Sequence, residues 1–440
     1  MTPTISLLAA CAAALTLVGA LALDSAAVHQ ATPSRLYAHL AYLAVGLAAG
    51  TSCAMIPYGR LQRRSRAPEW WPGRLRWLGE ARLPTLFLIV AVAQLVLVLV
   101  PGLSEVRNGA RRWPIWGGQP SEFAKLALVV AMADHLARSP LPSGAGLRHL
   151  AAPVGFAAVV AFLILVEPDW GGAAVTAMVA AGMLLVGGAR WFHLVSAAII
   201  LSLVAVHGLL LDPHRLGRVL SFWDPEAWRF GAGYQQWRSL LAIGSGGWIG
   251  ESPGEGRFKG AFVPEQETDF IFSLLAEEYG LIGVAALLGL YAVMMGCGGR
   301  LAFRTRDPFG QYLAVGVTLW IMFQTLIHVA VNTSSVPNKG LPLPLVSYGG
   351  TNLICLLAGV GLLISVGRYA PLAPQPDPEL CRGSQWVLVF RRLWRLVRGP
   401  HGQPVRHAYQ LPPKRPAEAQ RALGVLRAAA RRTAAARLGA

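Results

Sequence analysis

Apolar residues gather along this chain in runs close to the length of a bilayer crossing, separated by stretches rich in charge, proline and glycine. About 20 apolar helical residues cover the hydrocarbon core of a membrane. The pattern predicts ten spans, at 6–23, 39–56, 83–100, 122–137, 152–166, 172–188, 192–211, 270–296, 311–331 and 351–367. Several are short or carry polar residues, as expected of helices packed inside a bundle. Ala20-Leu21-Ala22 ends the first run in the manner of a cleavage site, but no Lys or Arg precedes it. A signal peptide needs that charge, so a retained first helix is expected. The expected fold class is an all-α polytopic membrane protein: a ten-helix membrane domain over 1–367 with a long outer loop at 212–269, then a basic tail at 368–440.

Composition narrows the function classes. The 440 residues are 54% hydrophobic and 14% charged, whereas a soluble domain carries about 25% charge. This excludes a cytosolic enzyme and a secreted fold, and removes the nucleic-acid reading of a net charge of +17. Placing both termini in the cytoplasm puts 27 Lys and Arg on inner segments and 11 on outer ones, as the positive-inside rule requires. Pro57–Arg82 alone holds seven Arg. In the tail, Arg391, Arg395 and Arg398 alternate with Leu393, Leu396 and Val397, which predicts an amphipathic helix over 386–398 on an anionic leaflet. A disordered stretch is expected after it. The five cysteines show no paired spacing and read as small core residues.

Ionisable groups at membrane depth are costly and therefore mark candidate chemistry. Glu122 and Lys125 share one face of the fourth span and could be a structural ion pair or part of a site. Asp134, near the inner end of that span, is expected to be solvated. Glu167-Pro168-Asp169-Trp170-Gly171 reads as an outer turn with solvated acids. His328 and Asn332 lie one helical turn apart and could line a cavity or bond a neighbouring helix. The long outer loop brings Arg257, Lys259, Glu265 and Glu267 to Asp269, at the mouth of the eighth span. Asp269 could be a helix cap or a tuned base or metal ligand. Finally, Pro337 to Gly350 breaks helix at membrane depth, which is tolerated only inside protein or along a cavity. Residue chemistry alone thus points to a groove for an anionic amphiphile, leaving transporter and enzyme open.

Four blocks together resemble the SEDS family, the shape, elongation, division and sporulation proteins. They are Asn108–Trp113 with Gln119–Lys125; Pro168–Gly171; Gly233-Tyr234-Gln235 through Asp269–Phe272 and Glu277-Glu278; and Pro337–Gly350. The resemblance covers about residues 105–368. Only four lysines occur in this Arg-rich chain, and Lys125, Lys259 and Lys339 fall where family members often carry Lys.

The resemblance implies a ten-helix fold in the cytoplasmic membrane and a peptidoglycan glycosyltransferase acting on lipid II. Implied partners are a class B penicillin-binding protein, other divisome or elongasome membrane proteins, and membrane lipid. Asp269 would be catalytic, taking the proton of the acceptor hydroxyl or holding a cation. Lys125, Arg257, Lys259 and Lys339 would meet the pyrophosphate, with Glu122, Arg111, Asp169, Glu265 and Ser347 as further substrate-binding candidates. No cofactor is certain; Mg2+ or Mn2+ at Asp269 and Glu267 is left open. The Asn-Gly-Ala-Arg-Arg-Trp and Pro-Asn-Lys-Gly-Leu blocks look division-type. An elongation-type polymerase, a lipid II flippase and a non-catalytic scaffold stand as alternatives.

The chain also departs from the family. Ala38, with Arg35 and His39 nearby, stands where Arg is frequent. Glu267 replaces a frequent His, Glu167 a frequent Gln, and Thr351-Asn352 a Ser pair.

Overall fold

A computed structural model of the chain describes residues 3–30, 33–62, 82–107, 110–115, 117–142, 146–196, 213–252, 254, 256 and 267–371. They belong to one compact unit, Met1–Val389; a second unit, Phe390–Ala440, and the expected amphipathic helix at 386–398 lie outside the described residues.

The helices are α1 Pro3–Gln30, α2 Pro33–Met55, α3 Leu83–Leu99, α4 Pro120–Arg138, α5 Leu147–Val166 and α6 Trp170–Val186. After them come α7 Pro213–Trp223, α8 Tyr234–Ser245, α9 Ile271–Arg304, α10 Pro308–Asn332 and α11 Gly350–Tyr369. Six of these, α1, α2, α5, α9, α10 and α11, are long and apolar enough to cross a membrane; α3 and α6 are apolar but shorter. Nine of the ten expected spans overlap these helices, and the seventh is helical at 191–196 before it leaves the described residues.

Helix starts follow local chemistry. Pro84, Pro120 and Pro308 sit in first turns, where a missing N–H costs nothing. Asp307 caps α10 by accepting from the Gly310 amide at 2.9 Å. The core gathers around α4 and α10, with Trp320, Tyr291, Phe270 and Phe309 fully enclosed. α4 is buried on nearly every face, which explains its tolerance of charge: those groups meet protein, not lipid.

Three features depart from the expected outline. An antiparallel hairpin, β1 Ser104–Arg107 with β2 Ala110–Pro114, adds strand to an otherwise helical chain. The outer loop carries the helices α7 and α8. And α9 is broken at Gly280, where φ is +61°, a conformation open to glycine at little cost. The freed amides of Leu281 and Ile282 donate to the carbonyls of Gly247 and Trp248 at 2.9 and 3.2 Å.

Asp134 also differs from expectation. It is 1% exposed, held by Arg138 at 2.7 Å and Arg82 at 3.3 Å. These arginines come from its own helix and from the start of α3, so the carboxylate ties two helix ends together. The described cysteines, Cys11, Cys53, Cys297 and Cys355, are free.

α2 crosses α11 through small residues. A Cβ on Gly361 would overlap the Gly50 carbonyl, and one on Gly50 would sit 2.7 Å from the Leu357 carbonyl oxygen. Backbones that close leave no room for a side chain. Gly361→Val is therefore expected to lower the thermal unfolding midpoint by several degrees in detergent. Gly155→Ala, which meets open space, is expected to leave it unchanged; equal midpoints for the two variants would refute the close crossing.

Candidate active site

The segment between α10 and α11 runs as irregular chain from Thr333 to Gly349. Its buried backbone needs partners, and side chains from surrounding helices supply them. Gln324 Nε2 donates to the Pro342 carbonyl at 2.9 Å, while its Oε1 accepts from Trp320 at 2.9 Å. His328 Nδ1 lies 2.6 Å from the Leu341 carbonyl; a carbonyl only accepts, so this nitrogen carries the proton. The Tyr291 hydroxyl donates to the Pro344 carbonyl. From α8, Gln236 donates to the Val336 carbonyl at 3.0 Å and Gln235 accepts from Asn338 at 2.7 Å.

The start of α9 is bound to the same segment. Ser347 Oγ donates to the Thr268 carbonyl at 2.6 Å and accepts from the Leu343 amide at 2.7 Å. The Tyr348 amide donates to the Glu267 carbonyl at 2.9 Å. Asn332 Nδ2 reaches the Asp269 carbonyl at 3.0 Å, and its Oδ1 accepts from the Ser273 amide at 3.3 Å.

Phe270, not Asp269, occupies the N-cap of α9. The carboxylate of half-buried Asp269 lies against Gly340, where a Cβ would come 2.6 Å from Oδ2. Lys339, the residue before Gly340, has its Nζ 5.3 Å from the Trp170 ring centroid, within cation–π range. Leu341 covers Gly171, whose Cβ would be 2.8 Å from Leu341 Cγ.

Three of the four sequence blocks thus meet at Asp269, Gly340 and Trp170. The fourth is attached beneath. Thr351 Oγ1 accepts from the Gln119 amide at 2.9 Å. Glu122 binds Lys125 at 2.7 Å and Asn352 at 2.6 Å, and Lys125 Nζ is 5.6 Å from the Trp320 ring. Glu122 and Lys125 are each 3% exposed.

The remaining candidates divide by surroundings. Arg257, Lys259 and Glu265 lie outside the described residues. Arg111 is in β2, and its neighbour Arg112, which the sequence reading did not single out, reaches across to the α5–α6 turn. Arg112 donates to the carbonyls of Glu167 and Pro168 at 3.0 and 2.6 Å. Asp169 caps α6 through the Gly172 amide at 2.9 Å. Ser347 joins backbone segments, and Glu267 is 3% exposed. Among the described residues no three His, Cys, Asp or Glu side chains converge as a metal site. His328 and Asn332 bond neighbouring backbone.

The expected solvated turn is also corrected. Glu167 is 0% and Asp169 5% exposed. The turn folds inward, with Arg112 holding its carbonyls. Neither Glu167 carboxylate oxygen has a hydrogen-bond partner among the described residues. Burial first, then the Asp169 charge, push its pKa up to about 8 against an opposing pull from Arg112.

The profile of the FtsW/RodA/SpoVE family, described as cell cycle protein, matches residues 77–371. A probable peptidoglycan glycosyltransferase FtsW of Hydrogenovibrio crunogenus is 42% identical over 287 residues, covering 63% of this chain and 72% of that protein. The corresponding protein of Hahella chejuensis is 35% identical over 382 residues, with 84% and 91% covered. Among solved structures, a chain from a peptidoglycan synthase complex superposes with a TM-score of 0.66 at 30% identity, covering 82% of this chain and 96% of that one. The rod shape determining protein RodA of Thermus thermophilus gives 0.58 at 30% identity, covering 83% and 97%.

The buried charges make two properties measurable. An unfolded Glu ionises near 4.5, against about 8 for folded Glu167, so folding takes up a proton between those values. Stability of the wild type therefore falls as pH rises through that window. Glu167→Gln is expected to match wild type near pH 4.5 and exceed it at pH 8 by on the order of a few kcal/mol, read as unfolding midpoints across pH. A constant difference would show that burial does not govern this group. For the ion pair, Lys125→Met leaves Glu122 buried and alone with Asn352, at a cost of about 3–5 kcal/mol. Glu122→Gln combined with Lys125→Met should recover much of that loss; a double variant as unstable as the single would assign the pair no mutual role.

Proposed function

The chain belongs to the FtsW/RodA/SpoVE family, and from that premise we propose that it is a peptidoglycan glycosyltransferase polymerising lipid II. The reading places it in the cytoplasmic membrane with ten spans, both termini inside and the Asp269 end of the bundle outside. The FtsW names of its relatives favour septal synthesis in cell division. The likeness to a peptidoglycan synthase complex supports pairing with a class B penicillin-binding protein transpeptidase.

The observation that carries the reading is the carboxylate of half-buried Asp269, set against the bare backbone of Gly340, the residue that follows Lys339 in the chain. In the reaction an acceptor sugar hydroxyl attacks the anomeric carbon of the donor. A new carbon–oxygen bond forms, the bond to the lipid pyrophosphate breaks, and the hydroxyl proton passes to Asp269. Lys339 offers positive charge to the departing pyrophosphate. The Trp170 face holds that ammonium in place, and the tether of Thr268 to Ser347 fixes the backbone next to the carboxylate.

A Mg2+ or Mn2+ ion would fit this site only as such ions bind phosphate substrates, through one or two carboxylates completed by phosphate oxygens and water. Asp269 with Glu267 would hold it, and it would supply charge to the leaving group.

Asp269→Asn keeps the size and removes the charge. It is expected to cut polymerisation of labelled lipid II, by purified protein with its cognate transpeptidase, about a hundredfold or more. Insertion and partner binding should persist. Wild-type rates from the variant would move the chemistry away from Asp269.

A further inference from the structure

The α5–α6 turn joins a satisfied backbone to an idle side chain. Arg112 of β2 gives Nε to the Glu167 carbonyl and Nη2 to the Pro168 carbonyl, and Asp169 is engaged with the Gly172 amide. The Glu167 side chain is fully buried, and both its carboxyl oxygens lack a hydrogen-bond partner among the described residues. A guanidinium bonds a carboxylate about twice as strongly as it bonds a neutral acceptor. An arrangement that commits Arg112 to two carbonyls and leaves the nearby carboxyl alone is therefore that of an uncharged acid. Burial and the charge of Asp169 favour the same form, and Arg112 opposes them.

The same turn leads straight into the candidate active site. Trp170, which follows it, has its ring centroid 5.3 Å from Lys339 Nζ, and Gly171 lies under Leu341. One side of the turn is thus held by Arg112, while the residues after it meet the segment that carries Lys339 and Gly340. Ionisation of Glu167 disturbs this from two directions. The new anion draws Arg112 off the carbonyls, and Asp169 repels it. A buried charge without a hydrogen bond is also driven towards water. Each effect loosens the chain within three residues of Trp170.

We propose that Glu167 is a positioning residue: while uncharged it leaves Arg112 latched to the turn, which sets Trp170 against Lys339, and on ionisation it takes that latch away. The assignment rests on the glycosyltransferase reading and deepens it, adding a group that acts on the leaving-group cation through Arg112 and Trp170. Glu167 itself touches no reacting atom. The charged groups that govern the latch are Asp169 at the start of α6, Arg112 in β2 and Lys339 in the 333–349 segment. Folded Glu167 ionises at about 8, so the latch is closed at pH 7 and open at pH 9. A glutamine, which cannot ionise, keeps it closed at both.

The test compares wild type with Glu167→Gln from pH 7 to pH 9, using the purified full chain in nanodiscs. One measurement is hydrogen exchange at the amides of Asp169, Gly172 and Ala173, all bonded in the closed turn, corrected for the pH dependence of the chemical rate. The other is polymerisation of labelled lipid II with the cognate transpeptidase. In wild type these amides should lose protection as pH rises. Its kcat should fall about tenfold by pH 9 with KM little changed, as a single ionisation near 8 dictates. Glu167→Gln should match wild type at pH 7 and keep both protection and rate at pH 9. A Glu167 that only packs would alter stability yet give superimposable pH profiles of kcat, and that result overturns the proposal. So does equal exchange in the two proteins at pH 9. Lost protection without a matching loss of kcat breaks the link from the turn to Lys339 and overturns it as well. Should Glu167→Gln fail to fold, Glu167→Leu, equally unable to ionise, takes its place. Product from neither protein at any pH would sink the polymerisation reading, while exchange, read without turnover, still decides the latch.

Discussion

The structure depends on satisfying a stretch of non-helical backbone inside a helix bundle. Residues 333–349 cannot bond to themselves as a helix does, and each buried amide or carbonyl left alone would cost about 1–3 kcal/mol. Gln324, His328, Tyr291, Ser347 and Gln236 of α8 meet that demand one group at a time. The outcome is a rigid platform where a simple chain break would be mobile. α9, α10 and α8 become mutually positioned because each must reach a particular carbonyl of the same segment.

Buried charge follows a similar logic at both ends of α4. Glu122 is shared between Lys125 and Asn352, and Asp134 between Arg82 and Arg138. A buried ion pair is seldom stabilising against apolar replacements, but removal of one partner is severe. Such pairs therefore enforce which helices sit together more than they deepen the folded state. Glu167 shows the opposite solution. Lacking a hydrogen-bond partner among the described residues and sitting near Asp169, it stays neutral around pH 7, so the inward turn at Pro168 does not have to bury a second charge.

The helical outline was legible in the sequence, because a helix that crosses a bilayer is the one common structure that needs an unbroken apolar run of that length. The non-helical course of the Pro337–Gly350 segment was legible too, through its helix-breaking residues. Contacts between distant residues were less so. Asp134 and the Glu167–Asp169 turn read as solvated, since their enclosing partners, Arg82 and Arg112, lie 52 and 55 residues away. Asn352 stands 230 residues from Glu122. Neighbouring arginines in β2 cannot be ranked without knowing which faces the α5–α6 turn. The kink at Gly280 was hidden because a single glycine in an apolar run is common and its backbone partners, Gly247 and Trp248, come from another segment.

The aspartates at helix starts are held in two ways. Asp169 and Asp307 cap α6 and α10 directly, each accepting the amide three residues on. A capping carboxylate is stabilised as an anion by those N–H groups and by the helix dipole, which weakens it as a base. At α9 the arrangement is displaced by one residue. Phe270 takes the cap position, and Asn332 of α10 accepts the Ser273 amide in place of a local side chain. The same Asn332 holds the Asp269 carbonyl through its Nδ2, so one side chain both caps the helix and orients the residue before it. The Asp269 carboxylate lies against Gly340, where a Cβ would come 2.6 Å from Oδ2. Receiving the Ser273 amide on Asn332 makes the start of α9, and the backbone at Asp269, depend on the docking of α10.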